Sequence, residues 1–195
     1  MAPVSTGRPG RPAAAAREDV LALAAERFLA GERVDMQGLA RELGLARATM
    51  HRWFGTREVL LGETIAELAE ERLRMIRTQA SGSGGRMLLE CADRFNRDLV
   101  ATKGLGTWLA QEQERAMRIL TSSAGVVQPR VVAAIEGFID AEIKAGTYVA
   151  AVDPHTLAYA IVRLGESFIY NDAMFGVRGD TQRLREVEAA LLGVR

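Results

Sequence analysis

The chain has 195 residues, 48% hydrophobic and 26% charged, with 25 basic side chains balanced by 25 acidic ones. That composition excludes a disordered or fibrous chain and suits one ordinary domain, or a small domain fused to a larger one. A lone Cys91 excludes a disulfide framework, and with only His51 and His155 as imidazoles no metal site is expected. No apolar run approaches the ~18 residues of a membrane helix. The N-terminus lacks a basic segment followed by an apolar core, so a cytoplasmic chain is expected. The even charge hides a weak asymmetry. Residues 1–58 hold nine arginines against seven acids, and the remainder holds 16 basic against 18 acidic residues. Binding to phosphate would therefore depend on local placement.

In chain order, residues 1–12 alternate Pro and Gly around Arg8 and Arg11 without apolar periodicity. Two readings stay open: a frayed tail, or a slim arm able to enter a narrow minor groove. A helix over 13–30 would bury Val20, Leu21, Ala24, Phe28 and Leu29 and end at Gly31. Asp35 is a good N-cap for a second helix whose Met36, Leu39, Ala40 and Leu43 share one face. Gly44 suits the left-handed corner that follows. A third helix over 46–53 turns Leu45, Met50, Trp53 and Phe54 inward. Arg47, Ala48, Thr49, His51 and Arg52 are left outward or at its leading end. Two short helices at a steep angle, the second with a basic polar face, make a helix-turn-helix suited to a major groove.

Thr56 caps a fourth helix to about residue 79, with Leu60, Leu61, Ile65, Leu68, Leu73 and Ile76 apolar. Glu70 and Arg74 are correctly ordered for an i,i+4 pair. Residues 81–85, SGSGG, are the expected flexible break and domain boundary. Helices are then expected over 85–101, 106–120, 128–144 and 154–171, the last opened by Asp153-Pro154. Asp180 caps a final helix striped by Leu184, Val187, Leu191 and Val194. No strand-like alternation of useful length appears. The expected fold is all-α with about nine helices. An arm (1–12), a three-helix helix-turn-helix domain (13–58) and a connecting helix (59–80) precede a larger C-terminal helical domain (81–195).

Leu39-Ala40, Gly44-Leu45, Thr49-Met50-His51-Arg52-Trp53-Phe54 and Gly55-Thr56-Arg57-Glu58-Val59-Leu60 follow one another without a gap. In order and spacing this stretch resembles the N-terminal domain of TetR-type transcriptional regulators. It departs from that pattern at Ala46 (often a capping Ser or Thr), His51 (usually Tyr) and Trp53 (His or Tyr). The resemblance implies a homodimer on a palindromic operator in double-stranded DNA, with a small-molecule effector bound in a C-terminal sensor and dimerisation domain. It places Gln37, Arg47 and Ala48 near bases, where arginine can pair bidentately with guanine and alanine can touch a thymine methyl. Thr49, His51 and Arg57 match positions that hold the DNA backbone. Arg52 lies on the same outward face. More faintly, the C-terminal half resembles regulators of quorum-sensing lactone breakdown, which implies a lactone effector.

Among the later helices, Phe95, Trp108, Met117, Phe138 and Phe168 could line a pocket, although each alone is as readily core. Tyr159, Arg163, Glu166 and Tyr170, spaced 4, 3 and 4, form one polar stripe. Leu157, Ile161, Leu164 and Phe168 lie opposite. Three readings of the stripe stay open: a solvated face with an Arg163–Glu166 pair, an isologous dimer contact, or a ligand anchor. In the family the 154–171 helix and the last helix form the dimer bundle. That places Leu157, Ile161, Leu164, Leu184 and Leu191 at the interface, with Gly165 allowing close approach. For a lactone, Phe95, Trp108 and Phe138 would be apolar walls and Arg163 and Tyr170 the donors, with Glu166 orienting the arginine. The C-terminal domain carries one His, one Cys, no glycine-rich phosphate loop and no nucleophile–base pair. No enzymatic activity and no cofactor are expected. The alternative function is an architectural DNA-binding protein of the same fold without an effector.

Overall fold

A computed structural model describes residues 15–174 and 179–194. Those residues form ten α-helices and no strand: α1 (Arg17–Ala30), α2 (Met36–Glu42), α3 (Arg47–Phe54), α4 (Arg57–Gln79), α5 (Gly84–Ala101), α6 (Lys103–Gln111), α7 (Gln113–Thr121), α8 (Val127–Lys144), α9 (Pro154–Met174) and α10 (Thr181–Leu191). The caps follow from local chemistry. The Asp35 carboxylate accepts from Gly38 N–H at 2.8 Å, Thr56 from Val59 N–H at 3.3 Å and Asp180 from Arg183 N–H at 3.0 Å. Gly31, at φ 77°, closes α1 in the left-handed conformation that glycine adopts without a Cβ penalty. No described helix is long and apolar enough to cross a membrane.

The helix expected over 106–120 is two helices. The chain breaks at Glu112, at φ −130° and ψ 44°. Its carboxylate accepts from both Arg57 Nη atoms, at 2.7 and 2.8 Å. An ion pair to a residue 55 positions earlier thus coincides with the corner, and α7 then buries Ala116 and Leu120 on its own axis. The Glu70–Arg74 pair does not form. Glu70 pairs with Arg130 of α8, and Arg74 pairs with its neighbour Glu71. The 81–85 stretch is also tighter than a flexible break. A Cβ at Gly84 would lie 2.4 Å from the Thr147 carbonyl oxygen. The start of α5 is capped by the remote Glu142, which accepts from Gly84 N–H at 2.6 Å, Thr147 Oγ1 at 2.8 Å and Arg77 Nη2 at 2.8 Å.

α4 organises the packing. Its 23 residues span roughly 34 Å at 1.5 Å per residue. One end packs against α1 and α3 and its flanks meet α5, α7 and α8. α9 lies against α8, α6 and α5, and α10 closes over α5 and α9. A continuous apolar core runs from Val20 through Leu60, Leu73 and Met87 to Leu157 and Leu184, so both halves share it.

Candidate DNA-binding face and ligand cavity

The packing of α2 and α3 against α1 and α4 buries Leu39, Ala40, Met50 and Phe54. Opposite that buried side, Gln37, Arg47, Ala48, His51 and Arg52 are exposed and Thr49 is half-buried. The first turn of α3 has no side-chain cap, because Ala46 has nothing to offer its N–H groups. His51 is oriented from within the helix. Its Nδ1 donates to the Gly55 carbonyl at 2.9 Å, which leaves Nε2 to accept from Arg47 Nε at 3.5 Å. Arg57 is placed differently from the rest. Its Nε donates to the Val34 carbonyl at 2.6 Å and its other nitrogens go to Glu112, with only 16% of the side chain exposed. The fork is therefore engaged inside the protein, joining the helix-turn-helix to α7. The hydrogen bonds from Arg57 hold the Glu112 carboxyl below the usual carboxylate range. Arg8 and Arg11 lie outside the described residues.

In the C-terminal half, α4, α5, α8 and α9 enclose a cavity of about 500 Å³. Its walls are apolar: Ile65, Leu68 and Ala69 of α4, Phe95 and Leu99 of α5, Val131 and Ile135 of α8, and Ile161 and Val162 of α9. One end is marked by the exposed Leu29, Glu71 and Met75, beside an Arg72–Asp98 pair at 2.6 Å. The other is polar and buried, built from Asn96, Gln128, Glu166 and Tyr170. The size and lining, apolar with a few convergent polar groups, are those of a small-molecule site.

The polar stripe of α9 divides along its length. Tyr159 and Arg163 are exposed, whereas Glu166 and Tyr170 are buried and line the cavity. Arg163 does not line it; its Nη1 donates to Glu166 Oε2 at 2.7 Å from the solvent side and to the Thr121 carbonyl at 3.3 Å. Burial pushes the Glu166 carboxyl up, against the opposing hydrogen bonds from Gln128 and Arg163, and pushes the Tyr170 phenol up strongly. Of the expected aromatic walls only Phe95 lines the cavity. Phe138 is half-buried elsewhere in the core. Trp108 stands edge-on to Phe28, with ring centroids 5.8 Å apart, at the junction of α1 and α6. Sequence reasoning missed Gln128, which looked like an ordinary first-turn residue, and Asn96, a single amide on an otherwise apolar face. No local pattern marks either.

The expected interface residues also divide. Leu157, Ile161 and Leu184 are buried within the protomer, so they cannot meet a second subunit. Leu164 and Leu191 are half-buried, and Tyr159 and Val187, each 42% exposed, are the large apolar side chains that α9 and α10 leave open among the described residues. Gly165 faces inward. A Cβ there would lie 3.3 Å from Asn96 Oδ1, so it keeps room beside the cavity rather than at an interface.

Cavity and helix-turn-helix meet at one joint. Phe28 of α1 lines the cavity and also a cleft of about 350 Å³ between the two halves, where it is joined by Val34, Arg57, Trp108 and Glu112. There α6 presses on α1 so closely that a Cβ at Gly104 would fall 1.7 Å from the Phe28 carbonyl oxygen.

Residues 83–193 match the family model described as "Tetracyclin repressor-like, C-terminal domain". Among solved structures, the chain is similar to the TetR-family transcriptional repressor QsdR of R. erythropolis. That structure is 28% identical, with 91% of this chain and 94% of the other covered and a TM-score of 0.82. It also shares its fold with the fatty acid degradation regulator FadR of Bacillus halodurans (17% identity, 95% and 97% covered, TM-score 0.58). FadR of Bacillus subtilis, solved in complex with stearoyl-CoA, has the same fold (14% identity, 90% and 96% covered, TM-score 0.55). Comparison with curated proteins gives no match. The model match spans more than half of the chain and the fold agrees with it throughout: this protein belongs to the TetR family of transcriptional regulators.

Proposed function

We propose that the chain acts as a homodimeric repressor, held on a palindromic operator until a small molecule fills the C-terminal cavity. In this reading Gln37, Arg47 and Ala48 contact bases, and Thr49, His51 and Arg52 hold the backbone. Residues 1–12, with Arg8 and Arg11, serve as a minor-groove arm. Residues 13–58 are the DNA-binding domain, 59–80 the connecting helix and 81–195 the sensor and dimerisation domain. The dimer forms through the outer faces of α9 and α10, around Tyr159, Leu164, Val187 and Leu191. The observation that carries the reading is Phe28, which belongs at once to the cavity wall and to the contact between α1 and α6. A ligand there touches the element on which the helix-turn-helix is mounted. This supports an effector over a purely architectural role. The effector class implied by the resemblance is a lactone, whose acyl chain suits the apolar walls.

The test joins assembly to release. Sedimentation of the wild type should give a dimer, and Val187→Glu, which places a charge on a surface two subunits must desolvate, should shift it to monomer. Operator release is then titrated with alkyl and N-acyl lactones of short and long chain. A monomeric wild type contradicts the assembly, and release by none of the lactones contradicts that effector class.

A further inference from the structure

The inference rests on the effector reading above and concerns the polar end of the ligand. The hydrogen-bonding capacity of the cavity's inner end can be counted group by group. Gln128 Nε2 has two N–H bonds and both are engaged, with the Thr121 carbonyl at 3.1 Å and Glu166 Oε1 at 2.8 Å. Both partners only accept, which fixes the orientation of the amide and leaves Gln128 Oε1 as its remaining valence. Glu166 receives Gln128 on one oxygen and Arg163 on the other, so it has lone pairs to offer and no proton. Asn96 turns one N–H away, to Glu188 Oε1 at 3.0 Å, and keeps Oδ1 beside Gly165. Among the described residues the Tyr170 hydroxyl and the second Asn96 N–H are the groups at this end with a proton still to donate, and the hydroxyl can also accept.

The inner end thus presents more open acceptors than donors. The charge of the lining points the same way. Arg72 is the one basic residue among the described lining side chains, it sits at the open end, and Asp98 already holds it. Against it stand Glu71, Asp98 and Glu166. An anionic head would meet carboxylates without a free cation. A head made only of acceptors, such as an ester, would leave the buried oxygens of Gln128 and Glu166 facing further lone pairs, the costly arrangement for buried polar groups. A head with an N–H or O–H satisfies them.

We propose that the effector is an uncharged apolar chain ending in a hydrogen-bond donor, an acyl amide or a comparable alcohol. Its donor is taken by Glu166 and Gln128 Oε1, and its acceptor, where it has one, meets the Tyr170 hydroxyl. Among lactones the same end favours one whose ring bears an amide N–H over a plain alkyl lactone.

Three probes with the same ten-carbon acyl chain that differ only at the head test this: decanamide, methyl decanoate and decanoate. Each is titrated calorimetrically into the full-length protein, with operator release followed in parallel. Decanamide should bind about tenfold or more tightly than methyl decanoate, since a donor to a charged acceptor is gained, and decanoate should bind weakest. Glu166→Gln, which exchanges an acceptor for a group that also donates, should narrow the gap between amide and ester. If that variant fails to fold, the order in the wild type decides alone. An ester or carboxylate that binds as tightly as the amide and releases the operator overturns the donor requirement and leaves the effector reading in place. Binding by none of the three overturns the effector reading itself.

Discussion

The helix-turn-helix and the C-terminal cavity use their side chains in opposite directions. On α3 the polar groups point outward from a helix of eight residues whose inner side is held by Met50 and Phe54. Around the cavity the polar groups point inward from helices of 18 residues or more, and the amides and the carboxylate among them are held by partners distant in sequence: Asn96 by Glu188, Glu166 by Gln128. An outward surface can change its residues with small effects on stability. An inward one couples any change of ligand preference to folding, because a buried polar group left unpaired costs ~1–3 kcal/mol. The two regions meet at α1 and α6, where the contact is backbone against backbone and leaves no room for adjustment.

That joint gives the largest expected effect. Gly104→Ala places a methyl group where the Phe28 carbonyl already stands, and should cost about 3 kcal/mol or more in denaturant unfolding while lowering operator affinity. Gly106→Ala, with nothing within 4 Å of its Cβ, is the control. It should be neutral or stabilising by up to ~1 kcal/mol, as for glycine replaced inside a helix. Equal behaviour of the two variants would remove the joint from the account.

Next comes Glu188, fully buried on α10, with Oε2 unpartnered among the described residues. Burial pushes its carboxyl up to about 7. A raised acid contributes stability that is fully present below the unfolded carboxylate value of 4.5 and is lost as pH rises through 7. Glu188→Gln should therefore remove a loss on the order of 3 kcal/mol between those limits, read as a flatter dependence of unfolding midpoint on pH. A variant with the wild-type pH profile would show that Glu188 is not the group responsible.

Arg57 sharpens the comparison from the DNA side. Its match to the family motif implies a hand on the DNA backbone, yet its fork is closed on Glu112. Arg57→Ala should cost about 2 kcal/mol of stability by leaving the partly buried Glu112 with only its longer contact to Arg115, at 3.6 Å. The depressed Glu112 carboxyl contributes stability above the unfolded carboxylate range and loses it as pH falls through its folded value, and that acid-side loss should shrink in the variant. Unchanged stability with uniformly weaker binding to all DNA would return Arg57 to the phosphate backbone. Arg47→Ala, by contrast, should leave stability alone and remove ~1–3 kcal/mol of discrimination at the base pair it contacts. His51→Ala should weaken all sequences alike and reduce the salt slope. Equal loss on operator and random DNA for Arg47→Ala would shift base reading elsewhere on α3.

These differences show where the sequence was legible. The helices and most of their limits followed from apolar spacing and caps such as Asp35, Thr56 and Asp180, which act within four residues. The outward set on α3 followed from a short local motif. What the sequence concealed depended on distant partners. The break at Glu112 accompanies a bond to Arg57, and the burial of Leu157, Ile161 and Leu184 reflects helices of the same protomer meeting them first. An apolar stripe looks identical whether its own chain or a second copy covers it. Gln128 and Asn96 became visible as cavity groups only once α5, α8 and α9 were brought together.

The central claim is that the cavity and the helix-turn-helix share one mechanical joint. Operator affinity measured on the full-length protein, with and without decanamide at concentrations where calorimetry shows the cavity filled, tests it most directly. The account predicts a fall of about 5- to 150-fold, the range of ~1–3 kcal/mol of coupling between sites. Operator affinity that stays constant while the cavity is demonstrably occupied would contradict it.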